Sequence, residues 1–187
     1  GSIENIISER KALDSTIWKD EVLAQLYEQS VVTLWDSIRL KKDKYKQIQN
    51  FNFNTINLPN FSSKYLIDKG IYKHVYSKDK ESFNYRYWRK LLKNWKNEII
   101  LSHVEFHQKE FYRGEKNISV YSFTFHVKSK TTRYILNGMC NVLWSDKKDI
   151  NGNYIASELD VNSLDILSYN GEDSFKMSQV FGAEGDK

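Results

Sequence analysis

Two histidines that are four residues apart, His103 and His107, are the first residues that could do chemistry. On a helix this spacing places both rings on one face, where they could hold a metal ion. The surrounding residues instead alternate between apolar and polar, which is the pattern of a strand. Because a strand rises about 3.3 Å per residue, the two α-carbons would stand about 13 Å apart, too far to share one ion. The sequence therefore predicts no metal site, unless another strand or subunit supplies a ligand.

Acid/base catalysis is the second chemical possibility. His126 and Asp160 are the candidate bases, and Glu158 is a further carboxylate in the same region as Asp160. Such a group has to point into a pocket beside the substrate. The alternation places His126 on the side of its strand opposite the aromatic residues Tyr121 and Phe123, and no catalytic signature is present. The sequence predicts no cofactor.

The single cysteine, Cys140, lies among Met139, Val142 and Leu143. One cysteine cannot form a disulfide within the chain. Apolar neighbours favour a buried and inert thiol over a nucleophile.

A basic and aromatic segment runs from Ser82 to Trp95. Its cations could contact phosphates or an anionic surface; they are Arg86, Arg89, Lys90, Lys93 and Lys96. Helical spacing, however, places the aromatic residues on one face for the core and the cations on the other for water. The formal net charge is only +4 and is spread along the chain, which does not favour nucleic-acid binding.

Two helices and a run of strands have to position these residues. Apolar residues recur at three- and four-residue steps from Trp18 to Ile38, after a candidate N-cap at Ser15 or Thr16, and again from Ser82 to Trp95. Residues 50–62 are expected to form a short strand or extended loop. Residues 63–76 fit either helix around Gly70 or a strand after it.

Four long strands are predicted between Glu98 and Tyr169. Turn residues separate them at Gly114, at Ser129-Lys130 and at Asn151-Gly152. In the first strand Ile100, Val104 and Phe106 are assigned to the inner face. The alternation slips between Asp160 and Leu164, which predicts a bulge, and Gly138 predicts a second bulge or bend.

The chain has 187 residues, 40% of them hydrophobic, and this length predicts one domain. We place an N-terminal arm at 1–15, the domain at 16–170 and a tail or linker at 171–187. Gly1-Ser2 resembles the remnant of a removed tag, so the chain is expected to be part of a longer protein. No run approaches the roughly 18 apolar residues of a membrane span, so this form is expected to be soluble.

The element order resembles the nuclear transport factor 2-like superfamily, which includes SnoaL-like proteins. The likeness covers residues 16–170 and includes the phrase from Leu26 to Arg39. The same phrase, with Val142-Leu143-Trp144 and Gly171 to Phe175, also resembles the region before the repeats of VCBS/FG-GAP proteins of the ASPIC/UnbV type. The second likeness implies an accessory module of a larger, exported protein.

The first likeness implies an α+β fold, a curved antiparallel sheet packed against N-terminal helices as a cone-shaped, cystatin-like roll. The superfamily contains enzymes, ligand binders and association modules, so it implies no reaction. The pocket or core candidates are Trp35, Tyr87, Trp88, Phe123, Phe125 and Trp144.

The leading hypothesis is a non-catalytic domain that binds a small apolar ligand or a protein partner, including a second copy through the sheet. The alternative is an isomerase, dehydratase or cyclase that uses His126 or Asp160. A third hypothesis is an anionic-surface or nucleic-acid binder that uses the cations of the Ser82–Trp95 segment.

Overall fold

The computed structural model describes residues 2–169, apart from the side chains of Asp14, Ser15 and Lys78. In chain order these residues form α1 (Ser2–Leu40), α2 (Lys44–Gln49), β1 (Phe53–Asp68), β2 (Ile71–Asn84), α3 (Tyr85–Trp95), β3 (Ile100–Tyr112), β4 (Ile118–Lys128), β5 (Arg133–Lys148) and β6 (Tyr154–Tyr169). The fold is α+β, as predicted. The predicted tail at 171–187 lies outside the described residues.

The strands form one six-stranded sheet in the order β1-β2-β6-β5-β4-β3. From β3 to β6, each strand pairs antiparallel with the next one in the chain, which confirms the prediction for this region. The β1–β2 hairpin covers the other edge of β6. The beginning of β1 runs parallel to β6, with Phe53 opposite Ala156. The beginning of β2 runs antiparallel to the end of β6, with Ile71 opposite Tyr169.

The segment from 63 to 76, which the sequence left open, is a strand on both sides of a turn. Gly70 has a φ of 71°, a left-handed conformation that glycine adopts without steric cost. The prediction of a helix around Gly70 is therefore wrong. The extended stretch predicted at 50–62 is present, but it is the first part of a strand of 16 residues.

The predicted helix from Trp18 to Ile38 is confirmed, but α1 begins at Ser2. Thr16 does not act as an N-cap, because its Oγ1 donates a 2.9 Å hydrogen bond to the carbonyl of Ala12 one turn earlier. Residues 2–13 and 16–19 are exposed. Contact with the rest of the fold begins at Asp20, which pairs at 2.9 Å with Arg113, the residue that follows β3.

Asparagine and aspartate side chains begin the two shorter helices. Asp43 accepts a 3.0 Å hydrogen bond from the amide of Lys46 at the start of α2, and Asn84 accepts one of 2.8 Å from the amide of Tyr87 at the start of α3. These are N-caps, which satisfy amide donors that a helix leaves unpaired. The predicted start of α3 at Ser82 is wrong, because Ser82 still pairs with β1.

A bulge at Ser102 in β3 overturns one facial assignment. Leu101 and His103 pair with consecutive residues of β4, so the alternation shifts by one residue between them. Leu101 is therefore buried, while Ile100, which was predicted to face inward with Val104, is 60% exposed.

A second bulge, at Asn162 in β6, lies inside the range where the sequence predicted one. Val161 and Ser163 pair with consecutive residues of β5, so Asn162 has no partner there. The bulge restores the inward direction of Leu164, which is buried.

All three helices lie on one face of the sheet, which we call the inner face. The core forms there, from residues such as Tyr27 and Val31 of α1, Leu92 of α3, and Phe123 and Ile166 of the sheet. The opposite side of the sheet is the outer face.

Candidate functional site

An apolar cavity of about 220 Å³ lies between the helices and the inner face. The helices contribute Val31, Leu34, Tyr45, Ile48, Trp88, Leu92 and Trp95 to its wall. The sheet contributes inward side chains from β1, β3, β4, β5 and β6. No charged side chain of the described residues lines it, so its wall offers an apolar guest dispersion contacts.

Two phenol groups lie in the wall of this cavity, and both already have hydrogen-bond partners. Tyr45 donates to the carbonyl of Ile99 at 3.1 Å, and Tyr121 donates to Oε1 of Gln108 at 3.2 Å. Burial raises the pKa of Tyr45 to about 12. Burial, with a smaller contribution from the charge of Glu28, also raises the pKa of Tyr121. Both phenols therefore stay neutral at physiological pH.

Cys140 also lines the cavity. Burial raises the pKa of its thiol to about 12, with the charge of Asp160 adding to the effect. The thiol is therefore protonated at neutral pH, and a protonated thiol is a poor nucleophile.

Three of the residues predicted to line a pocket or the core lie in the cavity wall: Trp88, Phe123 and Phe125. The rings of Trp88 and Trp95 meet edge to face at 5.7 Å on the helical side. Tyr87 lies outside the wall, and its ring stacks on Phe83 at 5.4 Å.

Trp144 belongs to the core and does not line the cavity. It is buried, and its indole N–H donates a 2.8 Å hydrogen bond to Oγ of the buried Ser119. Its ring stacks on Tyr27 at 5.0 Å, and the hydroxyl of Tyr27 accepts a bond from Asn117 at 2.9 Å. This group fixes α1 against the sheet.

Trp35 lines a different cavity, which the sequence did not predict. Its indole N–H donates to the carbonyl of Val104 at 2.9 Å. The cavity measures about 190 Å³ and also contacts Glu28, His107 and Gln108. The sequence does hold one indication of this cavity. Glu28 directly follows an apolar residue of α1, and no charged residue lies three or four positions from it in either direction.

The proposed bases lie outside the apolar cavity. The ring of His126 packs against that of His103 at 5.0 Å. Asp160 forms an ion pair with Lys80 at 2.9 Å and accepts a 3.4 Å hydrogen bond from the side-chain amide of Asn57. The residues before and after Asp160 line the cavity, so Asp160 itself faces outward.

The histidines of β3 share one carboxylate. Nε2 of His103 lies 2.9 Å from one oxygen of Glu105, and Nε2 of His107 lies 3.6 Å from the other. Hydrogen bonding from His103, the largest cause, and from His107 lowers the pKa of Glu105. The neighbouring strand does bring His126 to His103, yet within residues 2–169 no group of three or more His, Cys, Asp or Glu side chains is arranged to hold a metal ion.

The basic face of α3 is exposed, while Leu91, Leu92 and Trp95 of the same helix are buried. The predicted separation of cations from aromatic and aliphatic residues is confirmed. Lys96 pairs with Asp43 at 2.7 Å, and Arg89 lies 5.7 Å from the ring centroid of Tyr85.

No protein-family model, curated protein or solved structure matches this chain. Among the helices of the described residues, none has the length and apolar character that crossing a membrane requires.

Proposed function

We propose that this domain binds a small apolar molecule in the 220 Å³ cavity between its helices and its sheet, without catalysing a reaction on it. The observation that carries the proposal is the cavity wall, which has no charged side chain among the described residues. The polar groups of Tyr45, Tyr121 and Cys140 in that wall are neutral at pH 7. General acid/base catalysis needs a group that exchanges a proton near the operating pH, and these three do not.

The volume limits the guest. A cavity of about 150 Å³ lined by aliphatic and aromatic side chains stays dry and binds benzene, which has six carbon atoms. By that proportion, this cavity suits a molecule of about nine non-hydrogen atoms. One aromatic ring with a short alkyl chain, such as propylbenzene, has that size.

The finer fold assignment is part of the same proposal: a cone-shaped, nuclear transport factor 2-like roll that serves as an accessory module of a larger protein. The element order and the bulges at Ser102 and Asn162 support it, because bulges bend strands and help a sheet to curl round a pocket. An experimental structure with a flat sheet would contradict the cone. The full-length gene product would test the accessory role.

Propylbenzene binding tests the proposed function. We expect it to shift the methyl NMR signals of cavity residues such as Leu92 and Leu164, and to raise the melting temperature, because a ligand that binds only the folded state stabilises it. Val142→Phe should fill part of the cavity and abolish both effects. Ile135→Phe, on the same strand but outside the cavity wall, is the matched control and should keep them.

Failure of propylbenzene to shift any cavity methyl group near its solubility limit would refute the proposal. Equal loss of binding in Val142→Phe and Ile135→Phe would also contradict it, because the loss would then not depend on the cavity. Should Val142→Phe not fold, Leu136→Phe, which also lines the cavity, replaces it.

Association with a second copy of the chain is a second candidate function. The hairpin tip, defined as residues 63–76, exposes about half of the surface of Tyr65, Leu66 and Ile67. Because neighbouring side chains of a strand alternate between its two faces, these three residues place exposed apolar surface on both sides of the tip, and such surface is available for association. Light scattering should show a molar mass that rises with concentration for the native chain. For Leu66→Glu the molar mass should stay that of a monomer at every concentration. A native chain that is monomeric at all concentrations would exclude it.

A further inference from the structure

The second cavity adjoins the apolar one. It lies between α1 and β3, measures about 190 Å³, and shares three wall residues with the apolar cavity: Val31, Phe106 and Tyr121. Only these side chains are common to both walls. A guest in one cavity is therefore one side-chain layer away from the other.

The polar groups of this second cavity form a connected chain. The Tyr121 hydroxyl donates to Oε1 of Gln108 at 3.2 Å, and Nε2 of Gln108 donates to Oε2 of Glu28 at 3.4 Å. Gln108 therefore links a phenol that borders the apolar cavity to a carboxylate in the polar one. Its bond to Glu28 is long, so it satisfies that carboxylate only weakly.

Glu28 has no ion-pair partner among residues 2–169, since its only hydrogen bond comes from the neutral amide of Gln108. The positions one helical turn away are Ala24, Gln25, Val31 and Val32, so α1 offers it no cation. On the side of the sheet, the titratable groups that line this cavity are His107 and Tyr121. His107 points its Nε2 at Glu105, 3.6 Å away.

A half-buried carboxylate without a cation, beside the aromatic side chains of Trp35 and Tyr121, attracts a positively charged group. An ammonium group has three donors, enough to reach both Glu28 and the amide oxygen of Gln108. The apolar cavity behind the shared wall would hold the remainder of the molecule.

We propose that the two cavities form one amphipathic site for an aryl- or alkylamine, in which the ammonium binds Glu28 and Gln108 and the apolar body passes Val31 and Phe106 into the apolar cavity. The passage requires the half-buried Phe106 ring to turn aside from its edge-to-face contact with Phe125, at 5.6 Å. This inference rests on the proposed function, because it needs the apolar cavity to accept a guest.

Three probes of similar size separate the contributions: propylbenzene, phenylpropanol and phenylpropylamine. We expect the amine to bind about tenfold more tightly than the alcohol, the effect of one charge-assisted hydrogen bond. Glu28→Gln keeps the shape of the side chain and should remove the preference for the amine while leaving propylbenzene affinity unchanged. Glu21→Gln, at an exposed position on the same helix, should behave as the native chain.

An amine that binds no better than the alcohol, or a preference that survives Glu28→Gln, would overturn the inference and leave the proposed function standing, provided that propylbenzene binds. If propylbenzene fails to bind, the proposed function falls and this inference falls with it. If Glu28→Gln also lowers propylbenzene affinity, the residue acts on the structure of the site and the ammonium assignment is wrong.

Discussion

The ring of Phe123 lies against the α-carbon of Gly138 on the neighbouring strand. A β-carbon built on Gly138 would stand 2.5 Å from Cζ of Phe123, and it would also collide with the carbonyl oxygen of Ser163. Phe123 lines the apolar cavity, so its position over a residue without a side chain helps to set the shape of that wall.

Gly138→Ala is therefore expected to destabilise the fold by about 1–3 kcal/mol, the usual effect of overpacking a filled core. A ring can turn, but the backbone carbonyl of Ser163 cannot move without disturbing β6. Urea denaturation of the variant measures the change. Gly114→Ala is the control, because the nearest atom to its added β-carbon is 3.7 Å away. Equal effects of the two substitutions would contradict the steric explanation.

Trp144→Phe should cost about 1–3 kcal/mol, because it leaves the buried hydroxyl of Ser119 without its 2.8 Å donor. Adding Ser119→Ala to that variant removes the unpaired group, so the double variant should lose less than the sum of the single ones. Chemical denaturation of the native chain, the two single variants and the double variant gives the coupling free energy between the two residues. Simple additivity would mean that the hydrogen bond contributes nothing.

His74 should make stability depend on pH. Burial, and to a lesser extent the charge of Lys64, lowers its pKa from 6.5 to about 4, and its Nε2 lies 2.9 Å from Oγ of Ser168. The unfolded chain therefore binds a proton between pH 6.5 and 4 that the folded chain excludes. Stability from this residue is complete above pH 6.5 and declines as the pH falls towards 4.

The difference between the native chain and His74→Gln isolates this effect from the titration of carboxylates. Native stability should fall more steeply than that of the variant from pH 6.5 to 4. Asn94→Gln, at an exposed position and without a titratable group, should follow the native curve. Parallel curves for the native chain and His74→Gln would show that the buried imidazole does not titrate in this way.

Cys140 should resist alkylation in the folded chain, because burial raises its pKa to about 12 and only the thiolate reacts. Iodoacetamide at pH 8 should label it slowly, and more slowly still with propylbenzene bound. Unfolding in urea should restore ordinary reactivity. A variant with Cys140→Ala and Asn94→Cys, at an exposed helix position, gives the reference rate. Fast labelling of the native chain would show that the cavity opens readily.

The strands from β3 to β6 could be predicted because their alternation is long and glycine or polar turns separate them. The hairpin tip could not be assigned, since Tyr65, Leu66 and Ile67 are apolar in succession and fit neither period. All three side chains are exposed, so burial of one face does not impose the period of a strand or of a helix on them. The side-chain direction of Ile100 was missed for another reason: Ile100 and Leu101 are both apolar, and the bulge at Ser102 decides which of them faces inward.

The sequence offered six aromatic residues as candidates for a pocket or the core. Trp88, Phe123 and Phe125 line the cavity because inward aromatic residues on neighbouring elements have to meet. Trp144 also points inward, but Tyr27 fills the space against it, and no pattern within one element reports how a facing element fills space. The role of Glu28 depends on Gln108, which is 80 residues away in the chain.

The parallel pairing of β1 with β6 has a consequence for folding kinetics. Phe53 and its partner Ala156 are about a hundred residues apart in the chain, so this parallel pairing cannot form until β6 has been synthesised. Closing so large a loop gives a high contact order, which slows folding. Until then the hairpin edge and the cavity-lining side of β1 remain open to water, so a ribosome-bound chain that lacks β6 should need protection from aggregation.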